Sequence, residues 1–167
     1  MNSPQIRLTR KLYHEMQSDL RRQHPFVGER VGFAYGRLAN AESAWPLIFL
    51  TRYVRLEDER YLADLRVGAR IDGVAIQAAM QGAIDHDEGC FHVHLHAWPG
   101  RPQFSPTDLA ELPRVARSFR NVGPTQAHGL FLLSDDSAYA DIWMPGKKDL
   151  MSARINIVGF PMTIIEA

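Results

Sequence analysis

Apolar residues recur along the chain with two different periods, which separates predicted helices from predicted strands. Leu12, Met16 and Leu20 are four residues apart, as on one face of a helix, and a similar pattern covers residues 71–84. His24-Pro25 ends the first helix, because the residue before proline is disfavoured in the α region. A third helix is predicted from Ser105 onward. The chain therefore contains three predicted amphipathic helices.

Segments rich in β-branched and aromatic residues predict the strands. They lie at residues 6–8, 30–38, 45–54, 91–98, 127–134 and 138–144, with a β-prone tail at 155–165. Turn-like residues at 40–43 and 135–137 predict antiparallel neighbours, whereas the strongly charged segment 55–70 gives no clear pattern. The mixture predicts an α/β (α+β) fold, with a curved, mainly antiparallel sheet flanked by helices.

Composition narrows the class of protein. The 167 residues contain no repeat or long polar linker, which predicts one domain over residues 1–167. The formal net charge is zero, so neither nucleic acid nor a membrane surface is expected as a partner. Cys90 is the single cysteine, and the first residues lack the apolar stretch of a signal peptide, which predicts a cytoplasmic protein. A buried core thiol is favoured for Cys90 over a nucleophile.

Three histidines alternate along one predicted strand, at His92, His94 and His96. Residues two apart project from the same face of a strand, so neighbouring imidazoles can share a metal ion. A catalytic zinc usually takes three protein ligands and leaves the fourth position open. The run therefore predicts a metal site that needs a third ligand from elsewhere. His92 is either a residue near the ligands or substrate, or simply a strand residue in line with them.

Asp108 is the best candidate for the third ligand. The preceding loop contains Pro99, Gly100 and Pro102, and it can turn the chain back so that the next helix begins beside the strand end. Serine, proline and an acidic residue in this order are also an ordinary helix start. The same residues can serve both purposes.

These residues resemble the signature of the JAB/JAMM (MPN-type) zinc metallopeptidases, an HxH pair followed by SxxD. His94 and His96 are separated by eight residues from Ser105-Pro106-Thr107-Asp108. The family's spacer is most often seven residues, and pairing His92 with His94 would require ten, which favours His94 and His96. Glu29, followed by glycines at 32 and 36, resembles the glutamate strand that precedes this signature in the family. Without that resemblance Glu29 would be an ordinary exposed carboxylate.

The resemblance implies a specific centre in a fold like that of MPN domains and cytidine deaminases. One zinc ion per chain would be held by His94, His96 and Asp108. Glu29 would take the proton of the attacking water and pass it to the leaving amine. Ser105 would hydrogen-bond the oxyanion. We expect this role to compete with capping of the helix, because one side chain cannot fully serve both.

The resemblance also implies a substrate, the C-terminus of a ubiquitin-like protein or its conjugates. Small bacterial members are deubiquitinase-like isopeptidases that occur beside activating and conjugating enzymes, some of them in antiphage systems. Deconjugation or precursor processing is therefore expected, and segments 55–70 and 114–126 are candidate partner surfaces. Two other functions stay open: a non-catalytic MPN scaffold, and a metal-dependent small-molecule amidohydrolase.

Overall fold

The computed structural model describes residues 3–64 and 66–166. Three α-helices and nine strands follow one another in the order β1 (Gln5–Thr9), α1 (Arg10–Leu20), β2 (Val31–Ala39), β3 (Leu47–Arg55), α2 (Gly73–His86), β4 (Gly89–Leu95), α3 (Pro106–Val122), β5 (His128–Leu133), β6 (Ala138–Trp143), β7 (Met151–Ser152), β8 (Arg154–Val158) and β9 (Thr163–Ile165), with a short 3-10 helix at Asp58–Arg60 between β3 and α2. All three predicted helices are present, and every predicted strand has a counterpart. None of the helices in this part of the chain is long and apolar enough to cross a membrane.

All nine strands form one mixed sheet in the order β7-β6-β5-β4-β2-β3-β1-β8-β9. β1 runs parallel to β3 and to β8, and β4 runs parallel to β5, while the other five pairs are antiparallel. The sheet curls, because the chain passes directly from β7 beside β6 to β8 beside β1. Ala153 N donates to Ala140 O across this junction. The predicted α/β composition with a curved sheet is confirmed.

Alternation along β4 separates the two faces of the sheet. Phe91, Val93 and Leu95 enter the core inside the curl, where α1 also packs. Cys90 belongs to the core under α2 and α3 on the other face. Burial raises the pKa of the Cys90 thiol, which fits the core role expected for it. His92 and His94 therefore face α3, because they share the side of Cys90.

Two predicted boundaries differ from the structure at the metal candidates. β4 ends at Leu95 rather than at Trp98, because Trp98 N donates to His96 O at 2.9 Å and turns the chain. β2 begins at Val31 rather than at Arg30, so Glu29, which the resemblance places on this strand, precedes it. His96 and Glu29 therefore lie just outside β4 and β2, at the same end of this strand pair.

Candidate metal centre

Strand register brings Glu29 to the histidines. β2 and β4 are antiparallel, and Val31 lies opposite His94. The same pairing, extended two residues beyond the Val31–His94 pair, places Glu29 opposite His96. The distance from His96 Nε2 to Glu29 Oε1 is 3.7 Å, and Glu29 is half-buried. Two segments far apart in the sequence thus meet at one place.

The start of α3 directs Asp108 toward the same place. Ser105 Oγ accepts the N–H of Asp108 at 3.1 Å, and Asp108 Oδ2 accepts the N–H of Ser105 at 2.8 Å. These reciprocal bonds form a capping box, which confirms the predicted helix start. Asp108 Oδ1 is 3.4 Å from His94 Nε2, and Oδ2 is 3.5 Å from His96 Nε2. Helix capping therefore orients the carboxylate toward both imidazoles.

The two distances from Asp108 oxygens to the imidazoles, one for each oxygen, are compatible with a tetrahedral zinc ion. Zinc binds imidazole nitrogen and carboxylate oxygen at about 2.0–2.1 Å, which separates two ligand atoms of a tetrahedron by about 3.3–3.4 Å. The distances from Asp108 to the two imidazoles are close to that value. Within residues 3–64 and 66–166, neither buried ring nitrogen of His94 has a hydrogen-bond partner. A bound cation would remove the energetic cost of leaving Nε2 unpaired.

Protonation also favours metal binding near neutral pH. Burial lowers the pKa of His96, and the neighbouring His94 lowers it further. Burial alone would raise the pKa of Asp108, but attraction from the neighbouring His94 and the hydrogen bonds with Ser105 leave it below the usual range. A neutral imidazole and a charged carboxylate are the forms that bind metal ions.

Two sets of ligands are compatible with the cluster. One atom each of Glu29, His94 and His96 lies within 4.8 Å of the other two, so these three residues could hold an ion. Within 4.0 Å, Asp108 has Oδ1 beside His94 and Oδ2 beside His96, whereas Glu29 is beside His96 alone in the described part of the chain. This difference favours Asp108 as the third ligand and leaves Glu29 beside the metal position.

The Ser105 hydroxyl is less restricted than the sequence suggested. In the capping box Ser105 Oγ acts as an acceptor. A hydroxyl has one donor hydrogen as well as two acceptor lone pairs, so its O–H can still donate to another oxygen. Capping the helix and hydrogen-bonding an oxyanion are therefore compatible, contrary to the expectation of competition.

His92 is fully enclosed beside the cluster. Its ring centroid is 5.5 Å from that of His94 and 6.0 Å from that of Phe33. Burial lowers its pKa to about 3, so the ring is neutral near pH 7. His92 also lines the cavities beside Asp108. Its position is compatible with both a packed strand residue and a residue on the substrate side.

Several residues of the site were not predicted from the sequence. The Trp98 ring lies over His96, with centroids 4.5 Å apart, and the Phe104 ring lies 6.0 Å from that of His94. Gly68 O accepts the backbone N–H groups of both Gly28 and Glu29 at 3.0 Å. Aromatic residues beside the HxH run could have suggested the first two contacts. The sequence carries no signal for the contact of Gly68.

Gly68 is packed against the Glu29 carboxylate so closely that a side chain would displace it. A Cβ at position 68 would lie 2.5 Å from Glu29 Oε2, a separation too short for any real contact. We expect Gly68→Ala to lower turnover by about 10- to 100-fold while zinc stays bound, because a shift of about 1 Å in a reacting group can cost this much. Turnover and zinc content are measured together.

Gly73→Ala is the matched control, because a Cβ at position 73 meets nothing within 4 Å. Wild-type turnover in Gly68→Ala would contradict this prediction, because it would show that turnover does not depend on the position of the Glu29 carboxylate.

Cavities adjoin the centre on two sides. A cavity of about 140 Å³ lies between Glu29, Gly68 and Asp108, and one of about 790 Å³ continues along the first turns of α3. A third, of about 690 Å³, lies between the end of α1 and Trp98 and is also lined by Glu29. A substrate could therefore extend away from the centre in both directions.

Comparison with known proteins leaves the family open. No family model matches the sequence, and no curated protein matches it. Among solved structures, the STIL N-terminal domain of Trichoplax adhaerens aligns at a TM-score of 0.35 and 13% identity, over 84% of this chain and 41% of that one. The chain thus spans less than half the length of that structure. A likeness this weak carries no argument about fold family or function.

Proposed function

We propose that the chain is a JAMM-type zinc metallopeptidase that hydrolyses the amide or isopeptide bond after the C-terminus of a ubiquitin-like protein. One observation carries the proposal: the Asp108 carboxylate lies 3.4 Å and 3.5 Å from the two imidazoles, and Glu29 lies 3.7 Å from His96. The residues that resemble the family's two separate motifs thus converge on one point.

Each residue of the cluster has a role in such a reaction. A bound zinc ion supplies a Lewis acid that polarises a carbonyl and lowers the pKa of bound water from about 16 to near 7. Glu29 accepts the proton of the attacking water and delivers it to the leaving amine, which is typically worth about 10²–10⁴ in rate. Ser105 donates its O–H to the developing oxyanion, a contribution on the order of 10²–10³.

The arrangement favours a catalytic centre over a structural one. Structural zinc sites are usually closed by four protein ligands, whereas catalytic sites use three. His94, His96 and Asp108 supply three, and a second carboxylate stands beside them as a base. Cavities of about 690 and 790 Å³ on the two sides leave space for chain on either side of the scissile bond.

The nature of the substrate rests on the resemblance in sequence. A ubiquitin-like protein would present its extended C-terminal tail to the cavities beside the centre. Segment 55–70 is a candidate partner surface, and its residues 66–69 line the cavity beside Glu29. We place this activity in a bacterial ubiquitin-like conjugation or antiphage system, in the cytoplasm, where activating and conjugating enzymes would act on the same modifier.

Metal analysis and a hydrolysis assay test the proposal. Wild-type protein is expected to hold about one zinc per chain and to cleave fusions that carry a ubiquitin-like C-terminus. His96→Ala should lose both properties, whereas His14→Ala, which changes an exposed histidine on α1, should keep them. A chelator should abolish turnover and added zinc should restore it.

Other results would select the competing functions. Failure to bind zinc, even after its addition, would contradict the proposal and favour a non-catalytic MPN scaffold. Zinc binding with hydrolysis of small amides alone would identify an amidohydrolase that acts on small molecules.

A further inference from the structure

A second concave site lies far from the metal centre, at the other end of β5. This cavity has a volume of about 280 Å³, and its lining includes Arg117, Arg120 and Asn121 of α3, His128 of β5 and Trp143 of β6. The metal candidate His94 is paired with Leu132, four residues beyond His128. At about 3.3 Å per residue, the two sites are about 13 Å apart along the strand. The cavity is therefore separate from the metal centre.

The cavity carries positive charge without a counterion. Arg117 and Arg120 are three residues apart and lie on the same face of α3. Among the residues that the structure describes, neither guanidinium has a carboxylate within 4.0 Å, whereas ten other arginines of the chain do. The lining contains no aspartate or glutamate. Arg117 and Arg120 are therefore the charged side chains of the lining, and both are positive.

The negative end of the α3 dipole offsets only part of this positive charge. The C-terminus of a helix carries about half a negative charge, which one nearby cation can offset. Arg120 lies in the last turn of α3 and can do so. Arg117 adds a second positive charge, and the exposed Lys147 and Lys148 follow directly after Gly146 in the cavity wall. The excess over the dipole is more than one positive charge.

The Arg120 guanidinium is held at the cavity wall by two contacts. Arg120 Nη2 donates to Lys147 O at 2.8 Å, and its Cζ lies 5.8 Å from the centroid of the Trp143 ring. These contacts fix Arg120 and leave most of its N–H donors free. His128 cannot act as a ligand, because Cys90 N donates to its Nδ1 and its Nε2 is 2.6 Å from Gly123 O. The arginines are therefore the charged groups of the lining that can bind a ligand.

We propose that this cavity binds a small molecule through a phosphoryl group. The planar guanidinium matches phosphate oxygens in a two-point contact, and two such groups can hold adjacent phosphates. A volume of about 280 Å³ fits inorganic pyrophosphate or the diphosphate of a nucleotide and is too small for a folded macromolecule. This site is independent of the proposed peptidase activity.

Titration with inorganic pyrophosphate tests the site on the zinc-loaded protein. Saturable binding is expected, with chemical-shift changes at the Gly146 amide and the Trp143 indole. Arg117→Gln should weaken the affinity by about tenfold or more, because a hydrogen bond to a charged group is worth at least this factor. Higher salt should weaken binding as well.

Arg114→Gln is the matched control. Arg114 lies on the same helix, is paired with Glu111, and is outside the cavity lining. Pyrophosphate bound at the zinc ion would contribute equally in both variants, so the comparison isolates the cavity. Equal affinities of the two variants, or no saturable binding, would overturn the proposal.

Adenosine diphosphate distinguishes two sources of the phosphoryl group. Tighter binding than pyrophosphate would support a nucleotide whose organic part contacts the cavity wall. Equal binding would support a ligand recognised by its phosphates alone. Shifts confined to residues near His94 and His96 would place both ligands at the metal centre and would also overturn the proposal.

Discussion

Glu29→Gln is expected to lower turnover by about 10²- to 10⁴-fold while zinc remains at the wild-type stoichiometry. Glutamine keeps the size of the side chain but cannot accept the proton of the attacking water. Zinc should remain because Asp108 has one carboxylate oxygen within 3.5 Å of each imidazole, whereas Glu29 lies 3.7 Å from His96. The measurement combines single-turnover kinetics on a ubiquitin-like fusion with metal analysis of the same sample.

Glu42→Gln, an exposed glutamate in the turn after β2, is the control and should behave as wild type. Loss of zinc in Glu29→Gln would assign the ligands to Glu29, His94 and His96 instead. Retained turnover with zinc bound would remove Glu29 from the role of base.

Asp108→Ala is expected to reduce bound zinc to less than about a tenth of the wild-type content and to destabilise the metal-free protein by about 1 kcal/mol. The change removes both the proposed ligand and the acceptor of the Ser105 N–H. Asp108→Asn separates these effects, because its amide oxygen can still accept that bond while the negative charge is lost. Metal analysis and urea unfolding of chelated protein measure the two effects.

The asparagine variant should therefore lose zinc and, without metal, have a stability between those of the alanine variant and the wild type, because it keeps the hydrogen bond to Ser105 but not the charge. The fold lowers the pKa of Asp108, so its charge stabilises the protein above the unfolded value of about 3.9. This contribution is lost as the pH falls through the lower folded pKa. Full zinc content in either variant would exclude Asp108 as a ligand.

Local chemistry explains why much of the fold could be predicted. α1 has its apolar residues at a helical spacing, and Ser105 and Asp108 carry the signals of a helix start. Alternation along β4 predicted that His92 and His94 share one face. These features depend on residues near each other in the sequence, so the pattern alone reveals them.

Segment 55–70 could not be predicted, because its conformation depends on specific contacts rather than on a period. Asp64 accepts hydrogen bonds from the backbone and side chain of Arg66 and from the side chain of Arg70. Tyr61 forms an isolated bridge with Ile71. The position of Gly68 against Glu29 follows from this folding of the loop, and no repeating pattern records it. The order of strands in the sheet is equally a product of distant contacts.

The position of Asp108 depends on how α3 packs rather than on the length of the loop before it. Leu112, Ala116 and Phe119 are buried against the sheet and hold the helix in place. Ser134 Oγ donates to Gly100 O, so the intervening loop is attached to the end of β5 at an internal point. We expect that adding or removing a residue near Arg101 would leave the carboxylate in place. Searches for similar side-chain clusters should therefore rely on strand pairing and helix starts, since the number of loop residues does not fix the position of Asp108.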